Sequence, residues 1–448
     1  MGNQALLKKY NVAAPRYTSY PTVPYWDVDH FSNADWSASV LETYKKHGDD
    51  GISVYIHLPF CERLCTYCGC NTRITRNHGV ERPYIDAVLK EWGMYTGMLG
   101  GKPKIKELHL GGGTPTFFSA ENLELLIEGI ASQAIFSAEA ELSFEAHPAN
   151  TTTAHLKKLH AAGFRRLSLG IQDFDLKVQR LINRFQTPDQ VLKVTQGARA
   201  IGYTSINFDL IYGLPGQHID GLKETIATVV SMQPDRIAFY SYAHLPWLKP
   251  GQRHYTEKDL PVGDEKFRLY QMGKNMLTDA GYGDVGMDHF ARKSDALFEA
   301  FKQGALHRNF MGYTTQHTRL LIGLGVSAIS DSWTGFAQNA KTVEGYLEKI
   351  HSGELAVQKG HLLSSEDLCI RMHILNIMCR NKTVFIQGIP DHIRQRLRPL
   401  LNDELISIQG NGIQVSVQGE SFLRNICMAF DEKLWLKQQD AQTFSSSI

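Results

Sequence analysis

Residues 52–70 read ISVYIHLPFCERLCTYCGC. An apolar, β-rich run at 52–58 opens directly into a loop carrying Cys61, Cys65, Cys68 and Cys70. Further β-rich runs follow at 107–110, 141–146, 166–171, 205–212 and 236–242, separated by helix-length stretches. Strands alternating with helices predict βαβ units and a parallel sheet. Ligands of such sheets sit at the C-terminal ends of the strands. The residues found there suit that role: the cysteines, then Gly111-Gly112-Gly113-Thr114, Glu145, Gln172-Asp173, Asp209 and Ala243-His244.

Local signals extend the reading. Thr187 and Pro188 read as N-cap and first residue of a helix ending at Gly202. The stretch 153–162 should stop at Gly163. Pro83 is expected to open the helix after the cysteines. Three regions are expected: an irregular N-terminal arm (1–50), a region of alternating strands and helices (51–335) and a mostly helical, winged-helix-like C-terminal domain (336–448). In the last, Ser364 should cap a helix reaching Cys379, and Gly410-Asn411-Gly412 should turn a hairpin. A helix over 420–436 and a frayed polar tail, QTFSSSI, should follow.

The 448 residues are enough for two or three domains and a large core. With 47 Lys and Arg against 46 Asp and Glu, the net charge is +1. That lacks the basic surplus of a phosphate-backbone binder, so no nucleic acid is expected. Arg394, Arg396 and Arg398 read as a solvated face. No run approaches a membrane span and the N-terminus is not a secretory signal, so a cytoplasmic protein is expected.

The seven cysteines are too clustered for a disulfide scaffold. Cys61, Cys65 and Cys68 form C-x3-C-x2-C, three thiolates able to hold three irons of a 4Fe–4S cluster and leave the fourth open. Zinc is the alternative, but its sites favour a second cysteine pair downstream. Cys70 is assigned no ligand role. Gly323-Leu-Gly325 lacks the βαβ frame and acidic partner of a dinucleotide site. His289 and His307 are read as structural.

The cysteine triplet, with Tyr67 beside its last member, resembles the signature of the radical S-adenosylmethionine (SAM) enzymes. Several stretches resemble the oxygen-independent coproporphyrinogen III oxidases of bacterial haem synthesis. They are PRYTSYP (15–21), HLPFCERLCTYCGCN (57–71), HLGGGTPT (109–116), SLGIQDF (168–174), NFDLIYGLPGQ (207–217), YAHLP (242–246), GMDHFA (286–291), HRNFMGYTTQ (307–316) and GLGVSAIS (323–330).

The resemblance implies an α/β fold, a partial (β/α)6 TIM-like barrel of the radical SAM type. It implies a 4Fe–4S cluster on Cys61, Cys65 and Cys68 and two SAM molecules. Tyr55, Gly112, Glu145 and Ile329 would serve the SAM on the cluster. Tyr67, Gly113, Thr114, Gln172, Arg184, Asp209 and Ala243 would serve the second. His147 departs from the acidic residue of relatives and is expected beside the site.

The implied reaction converts two propionates of coproporphyrinogen III to vinyl groups through a 5′-deoxyadenosyl radical, giving protoporphyrinogen IX. The implied partner is a reduced carrier such as flavodoxin or ferredoxin, acting on a monomer. Arg16, Arg292 and Arg308 are candidates for the propionates, and the PRYTSYP arm for a lid over the barrel mouth. The alternative is a haem chaperone related to the family, which lacks the PRYTSYP arm and the CGCN continuation.

Overall fold

The computed structural model describes residues 3–27, 29–261, 263–436 and 444. The expected frayed tail lies, except for Phe444, outside the described residues.

Six parallel strands run in sequence order: β1 (Ile52–Leu58), β2 (Lys104–Gly112), β3 (Ile135–Ala146), β4 (Arg166–Gln172), β5 (Ser205–Tyr212) and β6 (Arg236–Ser241). Each crossover carries a helix, as sequential parallel pairing requires. A further strand, Leu321–Leu324, pairs parallel with β1 on its other side. Antiparallel strands extend both edges to a sheet of 12. The six-strand partial barrel is as expected; the run at 107–110 is the central part of a longer strand, and that at 141–146 is the C-terminal half of one.

The local signals act where the backbone needs them. Thr187 accepts from the Gln190 N–H in a capping box, and Gly202 ends the helix with φ 116°. Ser364 caps Ser365–Arg380 in the same way. Pro83 does not open its helix: Glu81–Leu99 begins two residues earlier, continuing a short 3-10 turn. The helix expected over 420–436 is broken into Leu423–Met428 and Glu432–Leu436, with Asp431 accepting from the Leu434 N–H between them.

The two larger hydrophobic cores divide the chain differently from the expected regions. The barrel core takes Trp36 and Val40 from the helix Asn33–His47. The second core joins Leu6, Tyr10, Tyr17 and Tyr20 to Ile374, Leu397, Ile426 and Phe430. The first 50 residues therefore split, because each half buries its apolar side chains against a different partner. The sheet also continues past 335, through Gly335–Asn339 and Val357–Leu362. Beyond it, helices surround a three-stranded antiparallel sheet.

The barrel interior is polar. Its floor is closed by Arg166 on Glu141 at 2.5 Å and by Arg236 on Asp295 at 2.8 Å. Glu107 is buried there and accepts from Ser53 and Thr314, both at 2.8 Å.

Candidate active site

The cysteine loop is fixed at both ends. Phe60–Cys61 pairs with Arg73–Ile74. The Cys68 N–H donates to Cys65 O at 3.0 Å, closing a turn that turns the thiols inward. His57 Nε2 lies 2.8 Å from the Asn71 carbonyl, so it carries the proton. Its Nδ1 then accepts from the Tyr55 hydroxyl at 3.0 Å. This chain ties β1 to the far end of the loop. On the other flank Thr66 and Asn183 bind the loop to 181–183.

The loop walls a cavity of about 810 Å³ over the strand ends, within the range of small-molecule sites. Cys61, Cys65, Tyr67, Cys68, Gly112, Gly113, Thr114, Glu145, Gln172, Arg184 and Asp209 all line it. Tyr55 and Ile329 do not: they line a separate cavity of about 230 Å³ with Phe310 and Met311. Glu145 belongs to both. Ala243 lines neither, but its carbonyl accepts from Gln252, which also donates to Tyr67 O at 3.0 Å.

The glycine run has a specific use. A Cβ on Gly113 would come within 2.6 Å of the Pro59 backbone, so only glycine lets this turn pack on the cysteine loop. Gly112 takes φ 115° and donates its N–H to Glu145 at 3.1 Å. Thr114 Oγ1 lies 3.3 Å from Cys61 Sγ.

The three thiols sit in different electrostatic surroundings. Burial raises Cys61 to about 12 and also raises Cys65. A hydrogen bond with Cys70 draws Cys68 down to about 7. Iron would deprotonate all three. Cys61, Cys65 and Cys68 are free thiols lining one wall of the cavity. Three such thiolates can each hold one iron of a 4Fe–4S cluster, so the donor set fits it.

Across the cavity, Arg184 donates to the Gly170 carbonyl and lies 3.7 Å from Cys65 Sγ, while its Nε has no partner. A side chain on Gly170 would strike the guanidinium. Burial works to raise Glu145, but His109 and the Gly112 N–H hold it below its ordinary range. Burial and the neighbouring Glu145 lift Asp209 to about 6.

Sequence reasoning missed Ser168, Gly170 and Tyr240, which also line the main cavity. Period-two alternation inward from Asp209 and across β4 and β6 is the signal that finds them. His147, expected beside the site, lines the cavity itself. Arg292 is at the wrong end: it donates to Pro234 O at the floor. None of the described arm residues lines the main cavity. Arg16 instead donates to Ser241 O at the end of β6, and Tyr17 donates to Asp431.

No described helix is long and apolar enough to cross a membrane. The radical SAM superfamily model matches residues 55–229. The chain is 39% identical to the oxygen-independent coproporphyrinogen III oxidase of Salmonella typhimurium, covering 99% of this chain and 98% of the relative. It is 36% identical to that of Synechocystis over 99% and 97%. Its fold matches a solved coproporphyrinogen III oxidase from Escherichia coli, described as a radical SAM enzyme. That match has a TM-score of 0.89 and 36% identity, covering 96% of this chain and 98% of the other. The chain belongs to the oxygen-independent coproporphyrinogen III oxidase family of radical SAM enzymes.

Proposed function

We propose a residue-level account of how this chain carries out its family's reaction, the oxidative decarboxylation of two coproporphyrinogen III propionates to vinyl groups. The observation that carries it is a loop of three free thiols forming one wall of a polar cavity over the strand ends.

Cys61, Cys65 and Cys68 hold the cluster, and the Pro59–Gly113 contact fixes their wall against the second strand. When bound, the cluster and SAM supply the electron and the radical chemistry that remove a hydrogen atom from the β-carbon of a propionate. Loss of CO2, with transfer of one further electron from the substrate to an external one-electron acceptor, leaves the vinyl group. Tyr55, Gly112, Glu145 and Ile329 orient the first SAM. Glu145 stays ionised near neutral pH, so it accepts from an ammonium or hydroxyl group. Arg184, Gln172 and Asp209, with Tyr67, Gly113, Thr114 and Ala243, form a second SAM position. There the unpaired Arg184 Nε is free for a carboxylate.

The exposed loop face beside Arg63 and Arg76 is where a reduced carrier would approach. The arm acts as a brace between β6 and the C-terminal module rather than as a lid, since its bonds run to Ser241 and Asp431.

The test is an anaerobic assay of reconstituted protein with SAM, a reductant and coproporphyrinogen III. Chromatography should show 5′-deoxyadenosine, a mono-vinyl intermediate, then protoporphyrinogen. SAM cleavage without any vinyl product would overturn the substrate.

A further inference from the structure

Gly113 and Thr114 follow β2 and lie along the start of the cysteine loop. The Gly113 N–H donates to the Leu58 carbonyl at 2.8 Å, and the Thr114 N–H to the Phe60 carbonyl at 3.1 Å. These bonds seat residues 113–114 on residues 58–60, at the close approach that the missing Cβ of Gly113 allows. Thr114 is thereby fixed through its backbone, with its Oγ1 3.3 Å from Cys61 Sγ. Among the described residues that hydroxyl has no other hydrogen-bond partner.

Arg184 reaches the same three-cysteine wall from the opposite flank. It is buried, its Nη2 donates to the Gly170 carbonyl, and its Nη1 lies 3.7 Å from Cys65 Sγ. The segment before it is bonded to the loop, Thr66 Oγ1 to Leu181 O at 3.0 Å and Asn183 Nδ2 to Leu64 O at 2.8 Å. Two of the three ligand sulfurs therefore each face one side-chain donor. A thiol can donate or accept. Once iron has deprotonated it, the sulfur only accepts, so the Thr114 O–H and an Arg184 N–H must donate to it. Reduction by one electron adds negative charge, which such donors stabilise more in the reduced form than in the oxidised one. Hydrogen bonds to the sulfurs are one of the protein's controls on an iron–sulfur potential. A full positive charge in a dry wall acts in the same direction.

We propose that Thr114 and Arg184 are positioning residues that act through the ligand sulfurs of Cys61 and Cys65 and make the cluster easier to reduce. The inference rests on the cluster assignment above. It gives two residues placed at the second SAM position a task that needs no SAM.

The experiment uses the reconstituted full chain, anaerobic and without SAM, and titrates the reduced cluster by electron paramagnetic resonance. Thr114→Val removes the hydroxyl and keeps the shape. It should retain wild-type iron and lower the reduced-to-oxidised ratio at a fixed poise about tenfold, a shift of about 59 mV to more negative potential for one electron. Thr114→Ser should recover most of that loss. Arg184→Met should shift the potential in the same direction, with Arg184→Lys between it and the wild type. A wild-type potential in Thr114→Val or in Arg184→Met would overturn the proposal, as would equal shifts in Thr114→Val and Thr114→Ser. If Thr114→Val holds no iron, the Arg184→Met titration decides alone. Wild-type iron content that survives replacement of Cys61, Cys65 and Cys68 would instead sink the cluster assignment itself.

Discussion

At the floor of the barrel Arg166 and Arg236 each meet a carboxylate, at 2.5 and 2.8 Å. At the mouth Arg184, 8% exposed, donates to the Gly170 carbonyl but meets no carboxylate among the described residues, and its Nε has no partner. Arg236 Nη1 at the floor also lacks a partner, so what differs is the carboxylate and not the satisfaction of every donor. A buried guanidinium without a counter-charge is costly, and under the proposed function a ligand's carboxylate supplies it at the mouth. The thiols follow the same division: those at the mouth line a cavity, whereas Cys379 and Cys427 are packed in the second core.

The comparison can be broken most severely at the cysteines. Replacing Cys61, Cys65 or Cys68 by Ala should abolish both the cluster and turnover, read by iron content and the cluster's absorption. Iron retained with turnover in any of the three would end the ligand assignment.

Next in size is the floor. Arg236→Met strands Asp295 in the interior and should cost about 3–5 kcal/mol in chemical denaturation. A floor variant that kept wild-type stability would mean that the pairing is incidental.

At the mouth, Arg184→Met should leave stability nearly intact and weaken SAM roughly 10- to 100-fold at one of two sites. Equilibrium dialysis reads this directly, and equal losses at both sites would contradict a second SAM.

The smallest effect concerns pH. Glu91 accepts from Gly325 N–H, Asn339 and Tyr346, and burial raises its carboxyl from an ordinary 4.5 to about 7. Between those values the folded state binds more protons than the unfolded one. Stability from this group is thus present below about 4.5 and is lost as pH rises to about 7. Glu91→Gln should flatten that part of the stability profile, and an unchanged slope would assign it to another group.

The parallel sheet and its functional end were legible because their signals are local. A β-run ending in C-x3-C-x2-C, Gly112-Gly113, Glu145 and Asp209 each report their own strand end, and the strand order follows from short right-handed crossovers. The main cavity gathers most of these residues. Other contacts are set by groups far apart in sequence. Tyr55 and Ile329 line a different cavity from Arg184 because Leu321–Leu324 pairs with β1. His147 lines the cavity and Arg292 binds at the floor, a difference no motif encodes.

By itself, then, the sequence determined a parallel α/β sheet with a cysteine loop at its strand ends through periodicity and spacing, and its longer motifs carried the resemblance that implied the barrel and the cluster. The tertiary structure alone decided that the arm packs with the C-terminal module, with Tyr17 on Asp431 and Arg424 on Pro15. The physical reason is that burial and charge pairing depend on which distant surfaces meet, and local patterns do not record that.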